Sequence, residues 1–258
     1  MKYIAMLSGG QDSSAMTLRL LELGEPLDYI VFCDTGLEHD YMYEYIDKLD
    51  AFFQRKYNIE ITRLYPKHNF EHWVYGKITR GEHEGKTRGT PSVLDMCYWR
   101  REAKQYPFER WAKENNIGEH KQYNGFVYGE SERYGNSPDY AIAPLYDWKW
   151  GEAEVQKYLK ENEMENKLYQ HFTRTGCAIC PKQSEASKYM LYKHYPDKWN
   201  YMKDMELKLN NDENKKMWTP RWHIDLTTIE LEKKFKKQDT QQTMELDFEP
   251  LKDCFCKI

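Results

Sequence analysis

Short apolar runs and helical stripes alternate through the first 65 residues. "KYIAML" is a compact apolar run that ends at Ser8-Gly9-Gly10, the pattern of a buried strand feeding a turn. "SSAMTLRLLELG" then places Ala15, Leu18 and Leu21 along one helical face, with Gly24 as a C-terminal stop. "LDYIVFCDTG" is a second strand. "DYMYEYIDKLDAFFQRKY" spaces Tyr45, Leu49, Phe52 and Phe53 as a helix does, and "IEITRLYP" is a third strand. This β-α-β-α-β order predicts an α/β fold, a parallel sheet flanked by helices.

Beyond residue 65 the pattern loosens. "KITRGEHEGKTRGTPS" carries charge and three glycines without periodicity and reads as a loop over 77–92. "WRREAKQYPFERWAKENN" reads as a helix interrupted near Pro107, and "YNGFVYGESERYG" as a strand running into a polar turn. From about residue 148 the chain is mainly helical. The expected organisation is therefore an α/β domain over 1–150 followed by a mainly helical region over 151–258.

Composition narrows the class. At 258 residues, 40% hydrophobic and 31% charged, the chain suits one substantial soluble domain with a helical extension. A mean hydropathy of −0.94 and the lack of an apolar run near 18 residues predict no membrane span. Only a few apolar residues follow Lys2 before the glycine turn, so no secretory leader is expected. The net charge of −4 gives no global attraction to nucleic acid. Six cysteines in a chain without a leader predict a reducing, cytoplasmic setting, where clustered thiols serve metal or redox chemistry.

The chemistry starts at "LSGGQDSSA". A glycine-rich turn between a strand and a helix exposes free backbone N–H groups at the positive end of the helix dipole, an anion site. Ser8, Ser13 and Ser14 add hydroxyl donors around Gly9, Gly10 and Asp12. No lysine completes a Walker A pattern, and two adjacent glycines do not make the three-glycine dinucleotide fingerprint. Asp34, at the end of the second strand, lies where open α/β sheets bind ligands and is a candidate for a ribose hydroxyl or adenine amine.

The turn Ser8-Gly9-Gly10-Gln11-Asp12-Ser13 resembles the PP-loop of the ATP pyrophosphatase and adenine nucleotide alpha-hydrolase superfamily. Later segments resemble one branch, the phosphoadenosine-phosphosulfate (PAPS) reductase-like proteins. "CDTGLEHDYMYEYI" looks like its Asp-Thr-Gly-x-Glu segment, with Glu38 at the acidic position. "MCYWRREAKQYP" looks like its Cys-x6-Lys segment, with Cys97 and Lys104. "GFVYGESERYG" matches at Glu130, Ser131 and Arg133, whereas Val127 stands where an arginine is common. "APLYDW" and "RTGCAICP" follow in order. The resemblance implies a HUP-like fold and an ATP- or PAPS-type adenine nucleotide held at Ser8 to Ser14, with magnesium as the ion accompanying the phosphates. It implies catalytic roles for Lys104, Glu130 and Arg133.

Cys177-x2-Cys180-Pro181 and Cys254-x-Cys256 form a four-thiolate set of the kind that binds zinc or an iron–sulfur cluster. The resemblance favours a [4Fe-4S] cluster over zinc. The segment "EPLKDCFCKI" lacks the Glu-Cys-Gly-Leu/Ile-His pattern that carries the attacking thiolate in the true reductases. Two forms of sulfur chemistry follow as expectations. In one, a tail thiolate takes sulfur from a phosphosulfate nucleotide and an external thioredoxin-like reductant resets it. In the other, ATP activates an acceptor for sulfur transfer from a sulfur donor, and a nucleic acid is one such acceptor, reached through thiolation or phosphorothioation. A nucleotide-binding sensor without catalysis is the alternative outside enzymology.

Overall fold

A computed structural model of the chain describes residues 1–215 and 221–240. Five strands form one sheet: β1 (Lys2–Met6), β2 (Tyr29–Cys33), β3 (Ile61–Leu64), β4 (His120–Tyr123) and β5 (Ala141–Ile142), in the order β3-β2-β1-β4-β5. Every pairing is parallel; Ile4 lies opposite Tyr29 on one side of β1 and opposite Gln122 on the other. A parallel strand packed on both faces needs a continuous apolar run, and Ile4, Ala5, Met6 and Leu7 are all buried.

The helices are α1 (Gln11–Leu23), α2 (Asp40–Tyr57), α3 (Phe70–Tyr75), α4 (Tyr98–Arg100), α5 (Tyr106–Glu114) and α6 (Ser131–Gly135). They continue as α7 (Pro144–Asp147), α8 (Glu152–Glu161), α9 (Glu185–His194), α10 (Pro196–Asn210) and α11 (Thr228–Thr240). Gly24 closes α1 in the left-handed conformation, φ 67°, its N–H returning to the carbonyls of Leu20 and Leu21. In α2, Tyr45, Leu49 and Phe53 face the core as their spacing requires.

Two expected details differ. The helix expected to break near Pro107 does not break. It widens into a π-turn over Arg101–Gln105, and Pro107 sits in the first turn of α5, where a missing N–H costs no bond. The strand expected from "YNGFVYG" stops at Tyr123, and Asn124, Gly125 and Phe126 leave the sheet as a loop.

Of three hydrophobic clusters among the described residues, the smallest packs Ile4, Met6, Val31 and Leu64 of the sheet against Trp111 of α5, and the two larger frame the site. One joins the sheet to α1 and α2 and takes Val155, Leu159, Met164, Leu168 and Phe172 from beyond residue 150. The other packs α3 and Trp99 against the C-terminal helices through Trp199, Met202, Trp222 and Phe235. The apolar faces of α8 and α10 are thus spent on different cores, and a cavity lies between the two clusters.

Strand order reverses at β1. The chain runs outward through β2 and β3, then returns to place β4 on the opposite side. Open α/β sheets bind ligands at the carboxyl ends of strands flanking such a switch point, here β1 and β4.

Candidate functional site

The cavity opens at that switch point. Its floor is Met6, Leu7 and Phe32, and its far wall is Phe70, Trp99, Ile179 and Trp222 from the second cluster. Ser8, Gly10, Asp12 and Ser13 line it from the glycine turn. Gly9 and Ser14 belong to the frame behind them. Gly9 has φ 74°, where any other residue is strained, and a Cβ there would lie 2.3 Å from Met42 Sδ and displace that side chain of α2. Ser14 is fully buried on the core side of α1.

Hydroxyl groups tie the turn together. The Ser8 N–H donates to Ser13 Oγ (3.1 Å), Ser13 Oγ donates to the Gly10 carbonyl (3.1 Å), and the two serine hydroxyls lie 3.0 Å apart. Gly10 is the N-cap of α1 and offers no side chain to the first-turn N–H groups. One of them, Gln11 N–H, donates to the Tyr169 hydroxyl (3.0 Å) from the 3₁₀ turn Lys167–Gln170. A Cβ at Gly10 would sit 3.2 Å from Tyr169 OH, 3.4 Å from Ser8 Oγ and 3.4 Å from Thr175 Oγ1, so three hydroxyls converge on the space above this glycine. Gly125 makes the same economy from the β4 side. A Cβ there would lie 2.8 Å from the Ser13 nitrogen, so β4's loop closes directly on the helix terminus.

Four cationic side chains line the cavity, Arg100, Lys104, Arg133 and Arg174, against two acidic ones, Asp12 and Glu38. Lys104 lies in the π-turn, a distortion that recurs where a helix must re-aim a functional side chain. Arg133 is ion-paired to Glu130 and stacks over Phe126 at 5.0 Å; Glu130 also accepts from the Val127 N–H (3.3 Å). Glu130 therefore holds Arg133 in place and does not itself line the cavity.

Thiols line the same cavity. Cys97, Cys177 and Cys180 all line the cavity. Cys177 Sγ is 3.5 Å from Thr35 Oγ1, and that hydroxyl donates to Glu38 Oε1 (2.8 Å). Glu38 is only 5% exposed, and burial raises its pKa while Lys104 opposes the rise. Beneath the cysteine loop, Lys188 is 1% exposed and donates to the carbonyls of Pro181 (3.2 Å) and Gln183. Burial pushes its ammonium pKa down to about 8. Cys33 also lines the cavity, and burial pushes its thiol pKa up to about 11.

The structure thus brings Ser8, Gly10, Asp12, Ser13, Lys104, Arg133, Cys177 and Cys180 around one cavity. Asp34 stands at the end of β2 but does not line it; its Oδ1 accepts from Gly36 N–H (2.7 Å) and Tyr43 OH (3.0 Å), which fixes the Asp34-Thr35-Gly36 turn. Cys254 and Cys256 lie outside the described residues. Among the described residues no group of three or more His, Cys, Asp or Glu is arranged to hold a metal ion. Arg100, Asn124, Tyr169, Arg174 and Thr175 also line the cavity without having been marked by sequence pattern. Arg100, Asn124, Arg174 and Thr175 lie within or beside quoted segments, whereas Tyr169 lies in none.

Two curated relatives come from Methanocaldococcus jannaschii. Uncharacterized protein MJ0973 is 26% identical over 218 residues, 80% of this chain and 48% of its own length. Uncharacterized protein MJ0066 is 28% identical over 204 residues, 74% of this chain and 38% of its own. The chain thus spans half or less of the length of these relatives. Among solved structures, a phosphoadenylyl-sulfate (PAPS) reductase from Candida auris in a phosphate complex matches 67% of this chain and 80% of its own at 19% identity, TM-score 0.42. The U34-tRNA thiolase NcsA from Methanococcus maripaludis, with its [4Fe-4S] cluster, matches 90% of this chain and 80% of its own at 17% identity, TM-score 0.40. The sequence profile of the phosphoadenosine phosphosulfate reductase domain matches residues 2–183, from β1 through the cysteine loop, and the chain belongs to that family.

Proposed function

We propose that the chain is an adenine-nucleotide-dependent enzyme of sulfur metabolism. The observation that supports this reading is the shared cavity, lined by the N-terminal turn of α1, by Cys97, Cys177 and Cys180 and by four cationic side chains. In this reading the nucleotide phosphates lie at the N-terminus of α1, with Ser8 and Ser13 as hydroxyl donors and Gly10 leaving room for the approach. Lys104 supplies a point charge and Arg133 a planar fork to phosphate or sulfate oxygens. Glu38 and Thr35 position the Cys177 thiol. Asp12 lines the same space and suits a magnesium ion accompanying the phosphates.

The reading includes a metal centre. Cys177 and Cys180 supply two thiolates at the cavity wall, and Cys254 and Cys256 are proposed to complete the set. Soft thiolates suit a [4Fe-4S] cluster or zinc. Such a centre would supply electrons or sulfur handling if iron–sulfur, and a structural tie if zinc. A reducing, cytoplasmic setting belongs to the same reading. Among the described residues no helix is long and apolar enough to cross a membrane.

The deciding experiment offers the anaerobically purified protein ATP or PAPS and follows products. Pyrophosphate release from ATP in the presence of a sulfur donor and an acceptor, RNA or DNA among those offered, supports acceptor activation. Release of adenosine bisphosphate from PAPS with a thioredoxin-like reductant supports phosphosulfate reduction. Nucleotide binding without either product contradicts the enzyme reading and leaves a sensor. Iron and zinc analysis of the wild type and the Cys177→Ser, Cys180→Ser, Cys254→Ser and Cys256→Ser proteins tests the centre: each substitution should lower metal content.

A further inference from the structure

The glycine turn has no lysine, yet an anion site built to hold a polyphosphate needs fixed positive charge. We infer that Tyr169, Arg174 and Thr175 form the second wall of the phosphate site, with Arg174 supplying the charge that the turn lacks. The inference rests on the nucleotide reading above and assigns residues that reading did not use.

Three observations converge on this segment. First, the chain around it is fastened to the turn at two points. Asn166 Nδ2 donates to the Gly9 carbonyl (2.9 Å), and Gln11 N–H donates to the Tyr169 hydroxyl (3.0 Å). The segment is therefore held in register with the helix terminus through bonds spanning nearly 160 residues of sequence. Second, Tyr169 OH and Thr175 Oγ1 both reach the space above Gly10, at 3.2 and 3.4 Å from where its Cβ would be. With Ser8 Oγ they make a hydroxyl cradle that any side chain at position 10 would fill.

Third, the four cations of the cavity are not equivalent. Arg133 is paired with Glu130, and Lys104 faces the buried Glu38. Neither Arg100 nor Arg174 forms an ion pair with a carboxylate among the described residues; one terminal nitrogen of Arg174 donates to the Lys182 carbonyl (3.1 Å), which braces the guanidinium without neutralising it. Its neighbour in the chain, Thr175, is the residue that reaches Gly10. Arg174 and Tyr169 also line both the nucleotide cavity and the adjoining groove beside α8, so they stand at the junction where the outer phosphates would lie. A guanidinium there can meet phosphate oxygens with two donors at once, which an ammonium cannot.

Calorimetric titration with ATP, inorganic pyrophosphate and adenosine tests the assignment. Arg174→Ala should weaken ATP and pyrophosphate on the order of 10- to 100-fold, the range of charge-assisted hydrogen bonds, and leave adenosine unchanged. Arg174→Lys should recover part of the loss, because it restores charge without the fork. Tyr169→Phe keeps the ring and should weaken ATP by about tenfold while sparing adenosine. Unchanged ATP affinity in Arg174→Ala overturns the inference while leaving the nucleotide reading intact. Equal losses for ATP and adenosine also overturn it, because they report a collapsed cavity rather than a lost phosphate contact. Wild-type protein that binds none of the three probes contradicts the nucleotide reading itself.

Discussion

The two walls of the cavity are built by opposite means. The turn between β1 and α1 is made of backbone and small residues. Glycine at 9 and 125 lets α2 and the β4 loop close on it, and the bonds among its own serines and backbone run over five residues or fewer, with Asn166 and Tyr169 fastening it from outside. The cysteine wall is made of side chains from remote segments. Thr35 and Glu38 come from the loop after β2, Cys177 and Cys180 from the loop before α9, and the buried Lys188 props that loop from below. A wall of backbone donors is preorganised and resists change, whereas a wall of ionisable side chains is tuned by burial and responds to pH. Under the proposed function, binding falls to the first wall and reactivity to the second.

The largest effect is expected at the backbone wall. In Gly125→Val the new Cβ would meet the Ser13 nitrogen at 2.8 Å, a contact that backbone must move to relieve. Overpacking of this kind costs about 1–3 kcal/mol, so a lower thermal midpoint should accompany loss of ATP binding. Unchanged melting and binding would show that the β4 loop is not closed on the turn.

The side-chain wall should answer to pH. An unfolded glutamate loses its proton near 4.5, and folded Glu38 keeps it to a higher pH because burial disfavours the charge. Between those two points the folded state binds the extra proton, so this group's contribution to stability falls as pH rises through the window. Glu38→Gln can still accept from Thr35 but has no charge to bury. It should be more stable than wild type at neutral pH and should lose that part of the slope. Thermal melts from pH 4 upward check this; parallel pH profiles for the two proteins would contradict it.

The smallest effect concerns the pair that holds Arg133. Its members are partly exposed, 35% and 22% by side chain, and such pairs contribute about 0–1 kcal/mol. Glu130→Gln should therefore reduce ATP affinity by less than about tenfold, and by less than Arg133→Ala does. A larger loss in Glu130→Gln, measured by titration, would mean that Glu130 touches the ligand directly.

The same contrast explains what could be read from sequence. Strands β1 to β3, helices α1 and α2, and the glycine turn are legible because their signals are local: apolar runs, a 3.6-residue stripe, adjacent glycines. Ser8, Gly10, Asp12 and Ser13 line the cavity for that reason. Asp34 shows the limit of the approach. Its place at a strand end was legible, but not that Tyr43 and Gly36 take its carboxylate oxygen. Tyr169 carries no pattern, and Arg174 stands only at the edge of the quoted cysteine segment. They reach the turn only through tertiary packing of a 3₁₀ segment, and no window of sequence contains both partners. The π-turn at Lys104 was read as an interruption because Pro107 is a strong local signal, while the backbone absorbs it by widening one turn.

The central claim is that an adenine nucleotide binds through its phosphates in the space above Gly10. The direct measurement is the affinity of the folded Gly10→Val protein for ATP and for adenosine, against wild type. Its Cβ would enter the cradle bounded by Tyr169, Ser8 and Thr175. The account predicts that ATP binding is lost, by about 100-fold or more, while adenosine affinity and the circular dichroism spectrum stay at wild-type values. Wild-type ATP affinity in a correctly folded Gly10→Val protein would contradict it.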